Sequence, residues 1–206
     1  HTGKWLIMTA MLQWWSGNLF IVAAGLYLGA AAFGAIRLAQ NLFSMLNLVL
    51  QVFENYVVPR AAQIYKTSSQ NLRSYLRSVS VKVGLLFVPL SLALGFFARP
   101  VLGFLGGEQY ESYGIAVQGL AVLQLLIFLS YPIRIAIRVL LLNKVFFIGY
   151  IITSLFSVLA ARTFIQWGNL EGVIAGLLVN QVLIIVYWQV MLHRSKFDLA
   201  VKDQPL

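Results

Sequence analysis

Six stretches of this chain, residues 5–28, 31–58, 79–98, 114–142, 145–166 and 172–192, stay apolar over lengths that a soluble domain does not need. Each is long enough to cross a hydrocarbon core of about 30 Å as a helix rising about 1.5 Å per residue. They run on without the polar–apolar alternation of a lipid-facing strand, which argues against a β-barrel. Helices are the other backbone that satisfies its own hydrogen bonds in lipid. The expected fold is therefore all-α: a polytopic membrane protein with six transmembrane helices, followed by a cytoplasmic tail over 195–206. Only 10% of the 206 residues are charged, against about 25% in a soluble domain.

The connections set the expected orientation. Between the second and third segments, PRAAQIYKTSSQNLRSYLRS carries Arg60, Lys66, Arg73 and Arg77. From about Ser69 it has the pattern of a short amphipathic helix lying on the membrane surface. Between the third and fourth, RPVLGFLGGEQYESY is glycine-rich and holds Glu108 and Glu111. The other connections are short, so neighbouring helices run antiparallel. One side then collects Lys4, Arg60, Lys66, Arg73, Arg77, Lys82, Lys144, Arg194, Lys196 and Lys202. The other holds Arg99 and Arg162 with Glu108, Glu111 and Glu171. By the positive-inside rule the first side, with both ends of the chain, is cytoplasmic. The net charge of +9 follows from that bias rather than from a nucleic-acid partner; the expected partner is the lipid bilayer, with its anionic head groups.

Cysteine is absent and the two histidines, His1 and His193, sit at the chain ends. A thiolate or histidine metal site, a cofactor and a catalytic triad are therefore not expected. The chain opens His1-Thr2-Gly3, reaches its first methionine at Met8 and shows no cleavable leader pattern. It is expected to be a piece of a longer membrane protein.

The polar residues inside these segments carry the functional signal. At about 100° per residue, Arg37, Gln40, Asn41, Ser44, Asn47, Gln51, Glu54 and Asn55 share an arc of roughly 140° on the second helix, with Leu48 the one apolar intruder. A helix in lipid keeps such a face only where it looks into a bundle or a wet cavity. The fourth helix repeats the pattern: Gln124, Ser130, Tyr131, Arg134 and Arg138 fall within about 120°, and Pro132 among them kinks the helix or frees a carbonyl. Plainer roles exist for single members. Arg138 can snorkel to the interface, Arg37 can anchor at the outer end, Glu54 can pair with Arg60 or Arg134, and the amides can bridge helices. An intramembrane arginine costs at least about 2.5 kcal/mol, which sets Arg134 apart. The predicted cavity lining is Arg37, Gln40, Asn41, Ser44, Asn47, Gln51, Glu54, Gln124, Arg134 and Arg138. Thr9, Gln13 and Ser16, with Asn18 on the opposite face, and Asn180 with Gln181 read as packing contacts.

The turn LGAAAFGAIRLAQNL, the exit ENYVVPRAA and the stretch RPVLGFLGGEQYESYGIAVQGLAVLQL resemble polysaccharide-export flippases. These form the branch of the multidrug/oligosaccharidyl-lipid/polysaccharide (MOP) exporter superfamily that includes O-antigen flippases. The resemblance runs over about residues 3–194. It implies a MATE-like transporter of two six-helix lobes around a central cavity, of which this chain is one lobe, the second. The N-terminal lobe of the same protein is then its missing partner. The implied activity is translocation of an undecaprenyl-pyrophosphate-linked oligosaccharide across the bacterial plasma membrane, for surface polysaccharide, without enzymatic chemistry. Arg37, Arg134 and Arg138 would neutralise the pyrophosphate, and Asn41, Asn47, Gln51 and Gln124 would replace water around sugar hydroxyls. The alternatives are a multidrug or cation antiporter using Glu54 as its membrane carboxylate, a membrane glycosyltransferase using Glu108 or Glu111, and a fragment that does not transport.

Overall fold

The computed structural model describes residues 2–195, with side chains from Ile7 onward; His1, the side chain of Lys4, and residues 196–206 with Lys196 and Lys202 lie outside the described part. The elements are α1 (Thr2–Leu28), α2 (Ala30–Thr67), α3 (Ser69–Phe96), α4 (Ala98–Gly106), a 3-10 turn (Glu108–Tyr113), α5 (Gly114–Leu129), α6 (Tyr131–Val139) and α7 (Asn143–Arg194). No strand occurs among the described residues. Five helical segments are long and apolar enough to cross a membrane: Ile7–Leu28, α2, α3, the run Glu108–Val139, and α7. Large apolar side chains such as Leu85, Phe96, Leu155 and Leu159 face outward, as lipid-facing residues do and as a soluble surface of this extent does not. The protein is a helical membrane protein.

A single residue joins α1 to α2. Gly29 has φ 88° and ψ 178°, a region open essentially to glycine alone, and it reverses the chain at once. α2 then continues past the predicted end at residue 58, through Pro59 to Thr67, 38 residues in all and about 57 Å long. Ser68 ends it and starts α3. Its N–H donates to Ile64 O at 3.1 Å, and its Oγ accepts from the N–H groups of Gln70 and Asn71 at 3.2 and 3.5 Å. This is an N-cap in its usual chemistry.

From Ser69 α3 runs unbroken to Phe96. The surface helix expected there is not a separate element but the first turns of the third long helix. Its apolar positions Leu72 and Leu76 are buried against Val57, Ala61 and Ile137, so protein rather than lipid head groups covers that face. No glycine or proline stands between Arg77 and Val83 to interrupt the helix.

α7 has 52 residues, about 78 Å if straight, far more than a bilayer core. It is a hairpin. Gly168 (φ −136°, ψ 15°) and Asn169 (φ 47°, ψ −122°) leave helical geometry, and asparagine tolerates positive φ better than most residues. Beyond them the chain returns along itself. Ser157 Oγ lies 3.4 Å from Asn180 Oδ1, although 23 residues of continuous helix would separate them by about 35 Å. Gly172 makes the return possible: a Cβ there would collide with the carbonyl oxygen of Phe164.

The core divides in two. One apolar cluster gathers Phe20, Ala24, Phe43, Leu46, Leu120 and Leu177; the other gathers Val57, Leu72, Tyr131, Ile137, Ile184 and Trp188. Polar side chains lie between them on five helical arms. They are Ser16 on α1, Glu54 on α2, Gln124 on α5 and Ser130 at its junction with α6, Thr153 and Ser157 on the first arm of α7, and Asn180 on the second, all buried. The described part is thus an apolar bundle with a polar waist.

Candidate functional site

At the waist a cavity of about 680 Å³ opens between α1, α2, α5, α6 and both arms of α7. α2 contributes Ser44, Asn47, Gln51, Glu54 and Asn55, and α6 contributes Arg134 and Arg138. Across from them stand Gln13 and Ser16 on α1, and Tyr150, Thr153, Asn180 and Gln181 on α7. Its size is that of a site for a small ligand or a head group.

Local sequence explains why the arginines reach it. Pro132 lacks an N–H and sits in the first turn of α6, a position proline tolerates. The chain bends at Ser130, whose N–H is shared between Leu126 O (3.1 Å) and Ile127 O (3.2 Å), while its Oγ donates to Ile127 O at 2.6 Å. The other end of α6 is closed by a Schellman pattern. Leu142 N–H donates to Ile137 O and Leu141 N–H to Arg138 O, both at 3.1 Å, with Leu141 at φ 55° where glycine is usual. α6 is thereby a short stub carrying Arg134 and Arg138 one turn apart on one face.

Both meet Glu54. Arg134 Nη2 donates to Glu54 Oε2 at 2.5 Å, and Arg138 Nη1 lies 2.6 Å from Glu54 Oε1. Arg134 also stands over the Tyr131 ring at 5.9 Å and Arg138 over Phe146 at 5.9 Å. Of the partners open to Glu54 on sequence grounds, Arg134 is the one found and Arg60 is not; Arg60 Nη1 instead donates to Tyr56 OH at 3.4 Å. Two guanidiniums against one carboxylate leave this corner with a formal charge of +1. Two donors on the lining, Arg134 Nε and Trp188 Nε1, are buried without a hydrogen-bond partner among the described residues.

The predicted stripe divides. Ser44, Asn47, Gln51 and Glu54 line the cavity, and Asn47 Oδ1 accepts from Gln124 Nε2, tying α2 to the buried Gln124 of α5. Arg37, Gln40 and Asn41 do not reach the cavity. Arg37 Nη1 donates to Asn18 Oδ1 at 2.8 Å and to Gln40 Oε1 at 3.0 Å and lies over the Phe33 ring, pinning α2 to α1 near Gly29. The Asn41 side chain is exposed, and its carbonyl accepts from Ser44 Oγ at 2.6 Å.

The opposite wall is a buried hydroxyl–amide network. Ser16 Oγ donates to Thr153 Oγ1 at 2.8 Å, Asn180 Nδ2 donates to Ser16 Oγ at 3.2 Å, and Ser157 Oγ donates to Thr153 O at 2.8 Å. Sequence reasoning reads Ser16 and Asn180 as packing and passes over Thr153, Ser154 and Ser157. The signal that points to them is three hydroxyls within five residues of an otherwise apolar run. Among the described residues no cluster of His, Cys, Asp or Glu could hold a metal ion.

No curated protein and no solved structure matches the chain. A family model described as "Polysaccharide biosynthesis protein" matches residues 1–115, from α1 into the start of α5. The matched part includes the whole polar face of α2 and ends before Gln124, Arg134 and Arg138. It covers more than half of the 206 residues, and the chain belongs to the polysaccharide biosynthesis protein family.

Proposed function

We propose that this chain is one lobe of an exporter that moves a lipid-linked, diphosphate-bearing oligosaccharide across the bacterial plasma membrane. The observation that carries the reading is the waist cavity, with Arg134 and Arg138 on one wall and amides and hydroxyls on the others. A diphosphate needs guanidiniums, which bind phosphate oxygens in a fixed fork. Sugar hydroxyls need groups that both donate and accept, which Asn47, Gln51, Asn180 and Gln181 supply. The family membership supports export in polysaccharide biosynthesis rather than catalysis.

In this reading the chain crosses the membrane six times, because each arm of the α7 hairpin is itself of spanning length. The basic connection around Lys66–Arg77 and both chain ends face the cytoplasm. α2 leaves Asn47, Gln51 and Asn55 exposed, beside exposed Met45, Leu48 and Val52. Such a mixed face is costly against lipid, and a second lobe of the same protein covers it, so that two bundles rock about a shared site.

Arg134→Ala in the full-length protein is expected to abolish surface polysaccharide while leaving membrane insertion intact. Wild-type polysaccharide in an inserted Arg134→Ala protein would remove the assignment. A second reading, a cation or drug antiporter, is favoured by the buried carboxylate of Glu54 at the waist. Resistance conferred on an efflux-deficient host, undiminished by Arg134→Ala, would favour that reading instead.

A further inference from the structure

An anionic cargo, the reading on which this inference rests, calls on Arg134 and Arg138, yet both guanidiniums are already occupied. One carboxylate bridges them, Oε2 toward Arg134 at 2.5 Å and Oε1 toward Arg138 at 2.6 Å. That is the arrangement in which two oxygens of a diphosphate would sit across two arginines one turn apart. Residues 55–107 contain no aspartate or glutamate, so no second carboxylate follows on α2, α3 or α4 to share the work.

We infer that Glu54 is an internal counter-ion: paired with Arg134, it holds the place of the ligand's phosphate oxygens at Arg138 and competes with them for that guanidinium. Without it the cavity would carry two arginines with no opposing charge, a costly arrangement when empty and an overly tight one when filled. A transporter needs its site to hold cargo loosely enough to let go.

The two halves of the bridge are unequal, and this gives the exchange a direction. Arg134 makes a hydrogen bond to Oε2, and its side chain is 19% exposed. Arg138 faces Oε1, an atom without a hydrogen bond among the described residues, and its side chain is 49% exposed. Arg138 is therefore the arm that turns to an incoming phosphate. Glu54, 4% exposed, stays on Arg134, so no carboxylate is left buried and unpaired. Glu54 is a positioning residue: it sets affinity through the arginines and does not itself bind the ligand.

The test is direct binding to the purified full-length protein in lipid nanodiscs. Farnesyl diphosphate serves as the lipid-bearing probe and inorganic pyrophosphate as the tail-free one. Glu54→Gln, a neutral isostere, is expected to bind both about tenfold more tightly than wild type. Arg138→Ala is expected to bind more weakly, and the gain is expected to vanish in the double variant Glu54→Gln/Arg138→Ala. Damage to the fold does not tighten binding, so a gain separates the counter-ion role from a merely structural one. Equal or weaker binding by folded Glu54→Gln overturns the inference. If that variant cannot be recovered folded, Glu54→Asp, too short to bridge both arginines, is expected to tighten binding about threefold, and no change there overturns it equally. The proposed transport can fail separately. Tightened binding together with polysaccharide export that survives Arg134→Ala keeps the counter-ion and removes the cargo; lost export with unaltered affinity in Glu54→Gln does the reverse.

Discussion

Leu141 holds a backbone conformation that its side chain opposes. At φ 55° its Cβ crowds the following carbonyl, at a cost of about 1–2 kcal/mol, and its side chain, 79% exposed, has little packing with which to offset it. Leu141→Gly is expected to raise stability by about 0.5–1 kcal/mol, after allowing for the freer unfolded chain. A thermal melt in detergent with no upward shift would mean that the exposed leucine makes up the difference through lipid. Other residue-scale features are open to sequence reading in unequal measure. The face of α2 is legible because a polar side chain in lipid is expensive and the helical period is fixed. The partner of Glu54 is legible only as a choice between Arg60 and Arg134, and its second partner Arg138 not at all, because 80 residues separate Glu54 from Arg134 and a wheel drawn for one helix does not say which neighbour it meets. For the same reason Asn18, on the far face of its own wheel, turns out to accept from Arg37.

Among the elements, the α7 hairpin depends on one missing methyl group. Gly172 packs its Cα against the Phe164 carbonyl, and backbone cannot step aside as a flexible side chain can. Gly172→Val is expected to lose about 1–3 kcal/mol or more, seen as a lower melting temperature and a reduced yield of monodisperse protein. Gly17, in the middle of α1, where a Cβ would meet nothing within 4 Å, is the control: Gly17→Ala is expected to raise stability by about 0.5–1 kcal/mol, the ordinary gain of alanine over glycine inside a helix. The hairpin is legible in sequence from the Trp167-Gly168-Asn169 interruption between two apolar runs. The length of α2 and the union of the Ser69 helix with the third span are not. Pro59 and the polar stretch after it look like loop, and the amphipathic pattern from about Ser69 looks like a separate helix on the membrane surface. Instead Leu72 and Leu76 pack with residues of α2 and α6, a contact that no local pattern announces.

Across the whole molecule, the polar waist predicts where water reaches. The 206 residues include no cysteine, so a cysteine placed among them is the one that this part of the protein offers to a label. Cysteine at Gln51 or Asn55 is expected to react with a water-soluble maleimide, and cysteine at Leu85 or Leu159, on the lipid face, is expected to resist it. With the six-crossing topology, cysteines at Ser74 and Lys144 are labelled from one side of the membrane and a cysteine at Glu108 from the other. Labelling of Ser74 and Glu108 from the same side would refute the arrangement. At this scale the apolar runs and the basic bias of alternate connections announce a polytopic bundle from sequence, whereas the far wall of the cavity, built by Ser16, Thr153 and Asn180, depends on three helices meeting and is seen only when they do.

The length of α2 has a mechanical consequence. Glu54 grips the helix at the waist, yet α2 extends 13 residues further, to Thr67, about 20 Å beyond that point, and Ser68 couples its tip directly into α3. Val57 and Ala61, on that stretch, are buried with Leu72, Leu76 and Ile137. The wall that carries Glu54 and the basic α2–α3 elbow thus belong to one continuous helix, and any tilt of α2 about the waist would displace the Thr67 end more than the cavity wall itself.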